Sequence, residues 1–386
     1  MKIAMEARPI KWSYGTGIGN YTHSLIAKLN ELDRTNDYTF LWAEGEPGEM
    51  IPFTRPYSYY SLPREDQREE AEIPLWLSRE AADVFHLTQN GFRTPRPGSY
   101  KIVVTIHDLI PYFYPEMVRP SFLKRFTTEM PLIVNRADQI ITVSEASKVD
   151  LVNVFKLSPE KISVIPSGPS PAFHPYPRAE ISQWLRERYG LKHPYLLYVG
   201  GLNPRKNVLE LLYAYAKVLR DLPNQQKLVI LGGACRHLEK LKLLAEALDI
   251  SEDVVFPGFV RTEELPFFYN GADLFVYPSL YEGFGLPPIE AMACGTPVIT
   301  SNVSSLPEVV GPAAVTVDPR DTLQLAQAIY DVLENPVLRT ELIRQGLERA
   351  KIYHWDSIAR QVLHVYEQVV NPGDGRRQPL KVEAGV

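Results

Sequence analysis

Residues 274–300 read L-F-V-Y-P-S-L-Y-E-G-F-G-L-P-P-I-E-A-M-A-C-G-T-P-V-I-T, from Leu274 to Thr300. Two short apolar runs, Leu274–Tyr277 and Pro297–Thr300, bracket a segment of helical character. Pro287 or Pro288 suits the first turn of a helix, which would put Glu290 within that turn. Glycines at 283 and 285 permit a tight loop before it. A strand, a loop, a helix and a second strand, with both strands continuously apolar, make a unit of parallel sheet covered on both faces.

The same alternation runs along the chain. Strand candidates in the first half are Ile3–Met5, Phe40–Ala43, Val84–Leu87, Ile102–Ile106, Gln139–Val143 and Ile162–Ile165. In the second half they are Tyr195–Val199, Lys227–Leu231, Val254–Phe256, Leu274–Tyr277, Pro297–Thr300 and Ala314–Val317. Amphipathic stretches such as Tyr21–Asn30, Ser144–Phe155, Val208–Leu219 and Arg236–Leu248 lie between them. Twelve strands in two sets favour two doubly wound α/β domains over one barrel. The seam is Pro166–Pro177, too rich in proline to continue a helix or a central strand. The expected layout is a first domain over 1–170, a linker over 171–190 and a second domain over 191–350. A C-terminal helix over 351–370 and a flexible polar tail over 371–386 follow.

Composition excludes several classes. The chain has 386 residues, 45% hydrophobic and 23% charged, enough for two or three domains with real cores. A net charge of -5 gives no global basic field for nucleic acid. The two cysteines, Cys235 and Cys294, stand far apart, so a disulfide framework is not expected and a reducing compartment fits. The N-terminal apolar stretch is too short for a signal peptide, and no window approaches the roughly 18 apolar residues of a membrane helix. The expectation is a soluble cytoplasmic protein.

Three stretches carry chemistry. Ser13–Tyr21, with Gly15, Gly17 and Gly19, follows the first strand and opens a helix. Its glycines would let the backbone approach a phosphate or sugar, although a flexible loop reads equally well. It is not a dinucleotide fingerprint, because position 20 is Asn rather than Gly. Tyr198–Asn207 follows a strand of the second half, where doubly wound sheets bind ligands. Arg205 and Lys206 there oppose the dipole of the helix they precede, which favours an anionic ligand over plain solvation. In the opening stretch, Glu282 and Glu290 flank a glycine loop and a helix N-terminus that together form an anion cup. A carboxylate accepts two hydroxyls at once and so suits a vicinal diol such as ribose. Either acid alone reads as ordinary helix-end chemistry. Together with the cup they fit a nucleotide diphosphate sugar.

At these residues the sequence resembles the family 4 retaining glycosyltransferases of GT-B fold. The E-x7-E signature is Glu282 and Glu290. The likeness continues through T-I-H-D-L-I-P (Thr105–Pro111), A-D-Q-I-I-T-V-S-E (Ala137–Glu145), V-G-G-L-N-P-R-K-N (Val199–Asn207), V-F-P-G-F-V (Val255–Val260) and S-L-P-E-V-V-G (Ser305–Gly311). It covers the chain to about residue 370. It implies two Rossmann-like domains facing a central cleft and closing on the proline-rich hinge. It implies that Glu290 holds the donor ribose and that Glu282 touches the donor sugar. Backbone N–H groups at Gly283, Phe284, Gly285 and Leu286 would bind sugar hydroxyls and diphosphate. Arg205 and Lys206 would neutralise that diphosphate beside Gly201, and Phe259 and Val260 would frame the base. Gly17 and Gly19 would close over the phosphates. His107 would face the reacting sugar, its imidazole donating to a hydroxyl and its carbonyl facing the anomeric centre; taken alone it reads as a partner of Asp108. Two positions depart from the pattern. Gly201 stands where many members carry arginine, and Ser167-Gly-Pro-Ser170 replaces the usual Asn-Gly-Val-Asp.

The chain has no D-x-D triplet, so the cations, the helix N-terminus and the glycine loops take the place of a metal clamp and no cofactor is expected. The resemblance implies front-face transfer, in which the leaving phosphate accepts the acceptor's proton. The H-D-L-I-P and S-S-L-P-E-V-V-G variants are most similar to mannosyltransferases acting on polysaccharide or lipid-linked acceptors, which implies GDP-mannose. Arg119, Lys124 and Arg125 with Phe122, Leu123 and Phe126 make a basic-apolar face suited to the inner surface of a cell membrane, or, as the favoured reading, a solvated helix face. The rival functions are a glycoside hydrolase, a sugar-nucleotide epimerase and a non-catalytic nucleotide-sugar binder.

Overall fold

The computed structural model describes residues 1–13, 15–50, 55–62, 69–92, 94–191, 194–222, 226–233 and 237–372. Cys235 and the tail beyond residue 372 lie outside them. The chain forms two compact units: Met1–Gly168 with the segment from Tyr353, and Pro169–Ile352.

The first unit holds β1 (Lys2–Glu6), β2 (Asp37–Ala43), β3 (Ser58–Leu62), β4 (Val84–Leu87), β5 (Lys101–Ile106), β6 (Gln139–Thr142) and β7 (Ile162–Val164). They pair in parallel in the order β3-β2-β1-β4-β5-β6-β7. Six of these strands coincide with apolar runs. The seventh, β3, was not expected. It is S-Y-Y-S-L on the sheet edge with Ser58, Tyr59 and Ser61 exposed, so it shows no apolar run.

Side chains alternate across this sheet, as the pleat requires. Ile3 and Met5 enter one core with Phe40, Trp42 and Val103, while Ala4 enters the other with Leu41, Ile102 and Val104. The first core is closed by the Gly17–Leu32 helix, through Tyr21, Leu25 and Leu29, and by the Trp355–Val370 helix, through Trp355, Ile358, Val362 and Tyr366. A buried polar link reinforces the second helix. His86 on β4 sits with Nδ1 at 2.6 Å from the Tyr366 hydroxyl and Nε2 at 2.8 Å from Thr105 Oγ1. Burial pushes this imidazole down to about 3, so it is neutral and can serve one partner as donor and the other as acceptor.

The second unit holds β8 (Tyr195–Val199), β9 (Lys227–Leu231), β10 (Val254–Gly258), β11 (Leu274–Tyr277), β12 (Val298–Ser301) and β13 (Val315–Val317). Their order is β10-β9-β8-β11-β12-β13, again parallel. All six match apolar runs in the sequence. Each sheet reverses its strand order once, between β1 and β4 in the first unit and between β8 and β11 in the second. Ligands of doubly wound sheets sit beyond the carboxyl ends of such strands.

Two expectations need correction. Residues 178–189, assigned to the linker, form a helix that buries Ile181 and Leu185 in the second unit. The proline density stops at Pro177, and the good helix formers after it run on to a left-handed cap at Gly190. The basic-apolar face on the Pro120–Arg136 helix is also smaller than expected. Arg119, Phe122 and Lys124 are exposed, but Phe126 is fully buried and Arg125 pairs with Glu129 at 2.7 Å, its guanidinium over the Phe92 ring. Among the described residues no helix is long and apolar enough to cross a membrane.

Candidate active site

The basic turn follows β8. Pro204–Lys206 makes one 3-10 turn and Asn207 is left-handed (φ 59°), so the Val208–Val218 helix starts only after the cations. They are not solvated. Arg205 is buried, Lys206 is partly buried, and both turn to Glu282 from the loop after β11. Arg205 Nη1 lies 3.1 Å and Lys206 Nζ 2.6 Å from the same Glu282 Oε1. The Arg205 guanidinium also donates to the Tyr281 carbonyl, and the Leu280 N–H donates back to the Arg205 carbonyl at 2.8 Å. The two loops that meet here leave the strands on either side of the switch point. Burial pushes the Glu282 carboxyl up, but Lys206 and Arg205 outweigh it and hold it at about 2, fully ionised.

The glycine loop is strapped from the S-S-L-P segment. The Glu282 N–H donates to Ser304 Oγ at 2.9 Å, and the buried Ser305 hydroxyl sits 2.9 Å from the Glu282 carbonyl and 2.8 Å from that of Phe284. Gly285 has φ 106°, and a Cβ there would come within 2.6 Å of Leu306 Cδ2. That φ is one that residues with a side chain rarely adopt. Gly285 is the N-cap of the Leu286–Ala293 helix, whose N-terminus no side chain caps.

Glu290 corrects an expectation. The helix begins at Leu286, so Glu290 is past the first turn and does not border the N-terminus. It is buried, its Oε2 accepting from the Tyr269 hydroxyl at 2.9 Å. Burial pushes its carboxyl up to about 7, against the lowering effect of Tyr269. The two acids therefore have separate partner sets: Glu282 faces two cations, and Glu290 faces a phenol.

The remaining second-unit candidates divide by exposure. Gly201 is exposed and its carbonyl accepts from the Tyr198 hydroxyl at 2.7 Å. Phe259 leaves 69% of its surface in solvent, while Val260 is buried at 6%.

In the first unit, Gly17 and Gly19 are helical, not loop residues. Thr16 caps the helix, its Oγ1 accepting from the Gly19 N–H at 3.3 Å. Gly17 is exposed with open space around it. Gly19 is buried, and a Cβ there would lie 2.1 Å from the Ser13 carbonyl oxygen. That glycine is required by backbone packing. His107, just beyond β5, has Nε2 at 3.0 Å from the Thr88 carbonyl and stands edge-on to the Tyr21 ring at 4.9 Å. Asp108 instead accepts from the Ile110 N–H. Burial pushes the His107 imidazole down to about 4, against the raising effect of Thr88. The neutral ring spends its one N–H on Thr88, so Nδ1 is an acceptor. That leaves the neutral imidazole no N–H for the expected donation to a sugar hydroxyl. The His107 carbonyl accepts from Ser147 Oγ at 3.3 Å.

Tyr277, Tyr269, Ser304, Ser305 and Thr88 were not singled out in the sequence. Only the serines had a local signal: Ser305 opens the S-L-P-E-V-V-G segment and Ser304 adjoins it. The tyrosines read as ordinary strand and helix aromatics.

The comparisons agree with this architecture. Residues 15–173 match the family described as Glycosyltransferase Family 4, and residues 185–349 match Glycosyl transferases group 1. The O-antigen chain mannosyltransferase B of Escherichia coli is 29% identical over 386 residues, covering 95% of this chain and 100% of that one. The serotype-specific mannosyltransferase WbdA of Escherichia coli is 29% identical over 276 residues, but this chain spans only 34% of it. Among solved structures, the sucrose-phosphate synthase from Thermosynechococcus elongatus superposes with a TM-score of 0.76 at 25% identity, over 96% of this chain and 100% of that one. With two parallel-sheet Rossmann-like domains, a cation-carboxylate cluster at the second switch point and a family match over each half, the chain belongs to the family 4 glycosyltransferases of GT-B fold.

Proposed function

We propose that this glycosyltransferase moves a hexose, mannose from GDP-mannose, onto a glycan or lipid-linked acceptor, with retention of anomeric configuration and without a metal. The observation that carries the chemistry is the pairing of Arg205 and Lys206 on Glu282 at the β8/β11 switch point. The names of the relatives support mannose.

Breaking the anomeric C–O bond passes through an oxocarbenium-like state and loads charge onto the leaving diphosphate. Fixed donors and cations that already point there lower the barrier without reorganising. Arg205 and Lys206 fill that role, helped by the uncapped N-terminus of the Leu286–Ala293 helix and the backbone at Gly283, Phe284 and Gly285. Glu282 holds the cations in place before the donor arrives and takes sugar hydroxyls once phosphate oxygens have replaced it on them. Glu290 accepts the ribose hydroxyls, the exposed Phe259 ring takes the base beside Val260, and Gly201 borders the diphosphate. In the first unit, Gly17 opens the helix N-terminus to phosphate, and His107 Nδ1 accepts from a hydroxyl of the reacting sugar. The leaving phosphate oxygen takes the acceptor's proton, so no side chain acts as nucleophile. The reading keeps the enzyme cytoplasmic. With a lipid-linked acceptor, the Arg119, Phe122 and Lys124 face is the surface that meets an anionic membrane.

The test is turnover of GDP-mannose after EDTA treatment, with the product anomer assigned by NMR. Undiminished transfer giving an α-linked product is expected. Activity lost to EDTA and restored by a divalent ion overturns the metal-free part. Consumption of the donor with no acceptor present favours epimerase or hydrolase chemistry instead.

A further inference from the structure

Tyr277 ends β11 and exposes only 1% of its surface. Its ring stacks between those of Tyr198 at 6.0 Å and Phe275 at 5.9 Å, and Thr300 Oγ1 donates to its carbonyl at 2.9 Å, so both ring and backbone are fixed. We propose that Tyr277 is a positioning residue for the reaction, its phenol oxygen fixing the Lys206 ammonium that neutralises the leaving diphosphate. That oxygen lies 2.5 Å from Lys206 Nζ and 3.0 Å from Glu282 Oε1, while Nζ lies 2.6 Å from the same Oε1. The three groups close a ring: the ammonium donates to the phenol oxygen and to the carboxylate, and the phenol O–H donates to the carboxylate. Nζ also stands 4.9 Å from the Tyr277 ring centroid. Burial, with Glu282 beside it, keeps the phenol protonated.

The need for such a group follows from lysine itself. Its four-carbon stem is rich in rotamers, and a cation that must be ordered at the moment of bond breaking loses part of its value. A carboxylate alone orders the ammonium at the cost of competing with the incoming diphosphate for it. A neutral hydroxyl on a rigid strand orders it without that competition. When a phosphate oxygen takes the place of Glu282 on Nζ, the Tyr277 contact persists. Arg205 reaches Glu282 independently and is braced by the Tyr281 carbonyl, so the effect is specific to Lys206.

This inference rests on the nucleotide-sugar reading and is tested by Tyr277→Phe, which keeps the stacked ring and removes one oxygen. Binding of GDP and of UDP by calorimetry, and turnover of GDP-mannose, are measured for wild type, Y277F, K206A and the double variant. The expected result is a kcat about 10–100-fold lower in Y277F with donor KM within about threefold. Weaker diphosphate binding in Y277F accompanies it, with no further loss of binding when the change is added to K206A. A merely structural tyrosine would lower binding by the same factor in both backgrounds. That outcome, or a Y277F enzyme equal to wild type, overturns the assignment to Tyr277 alone. A wild type that binds neither nucleotide overturns the underlying functional reading.

Discussion

Glu282 and Glu290 are both buried, yet their carboxyls stand at opposite ends of the acid range, at about 2 and about 7. The difference lies in the partners: two cations for the first, one phenol for the second. Glu290 binds its proton more tightly in the folded chain than the roughly 4.3 of a free glutamate. Its contribution to stability is therefore complete below about 4.3 and is lost as pH rises through about 7. In the proposed role the ionised form accepts ribose hydroxyls, so donor affinity should run the other way and strengthen over the same interval. Glu290→Gln removes both trends. Thermal melts from pH 4.5 to 8 should show the wild-type melting temperature falling relative to that of E290Q. Donor titrations should show affinity rising with pH in wild type only. Parallel profiles for the two proteins would deny Glu290 this role.

At the scale of elements, the Gly17–Leu32 helix shows how a glycine-rich start can be mistaken. Gly19 is fixed by the Ser13 carbonyl, a backbone atom that cannot swing aside. Gly19→Ala should destabilise the first unit by about 1–3 kcal/mol in a denaturant melt, with Gly17→Ala within about 0.5 kcal/mol of wild type or better. Equal effects would mean that Gly19 is not held by packing. The strands were legible because central parallel strands bury both faces and read as continuous apolar runs. The edge strand β3 and the Arg178–Tyr189 helix lack that signature, one being half exposed and the other following a proline tract. The motif spacing marked Glu282, Glu290, Arg205 and Lys206. The 76 positions between Lys206 and Glu282 hid the fact that they pair, and β11 hid Tyr277 among ordinary strand aromatics. Local patterns report which face a residue takes; they do not report which distant loop it meets.

At the scale of the whole molecule, the chain leaves the first unit at Gly168 and returns to it at Tyr353. The returning helix is part of the first core. Trp355 is 5% exposed and sits 5.7 Å from the Tyr21 ring, one turn from the Gly17–Leu32 helix start. Trp355→Ala should cost the first unit about 3–5 kcal/mol. Because each unit has its own core, calorimetry should show one transition lowered and the other unmoved. A uniform shift of all unfolding would contradict that independence.

On the proposed reading, the β8/β11 switch point of the second unit is the nucleotide-sugar donor site. A thermal-shift screen of the wild-type chain against a panel of nucleotide sugars, repeated on K206A and E290A, tests it most directly. One nucleotide sugar, GDP-mannose, should raise the wild-type melting temperature, and the shift should be largely lost in both variants. No response to any nucleotide sugar, or a response of wild-type size in both variants, would contradict it.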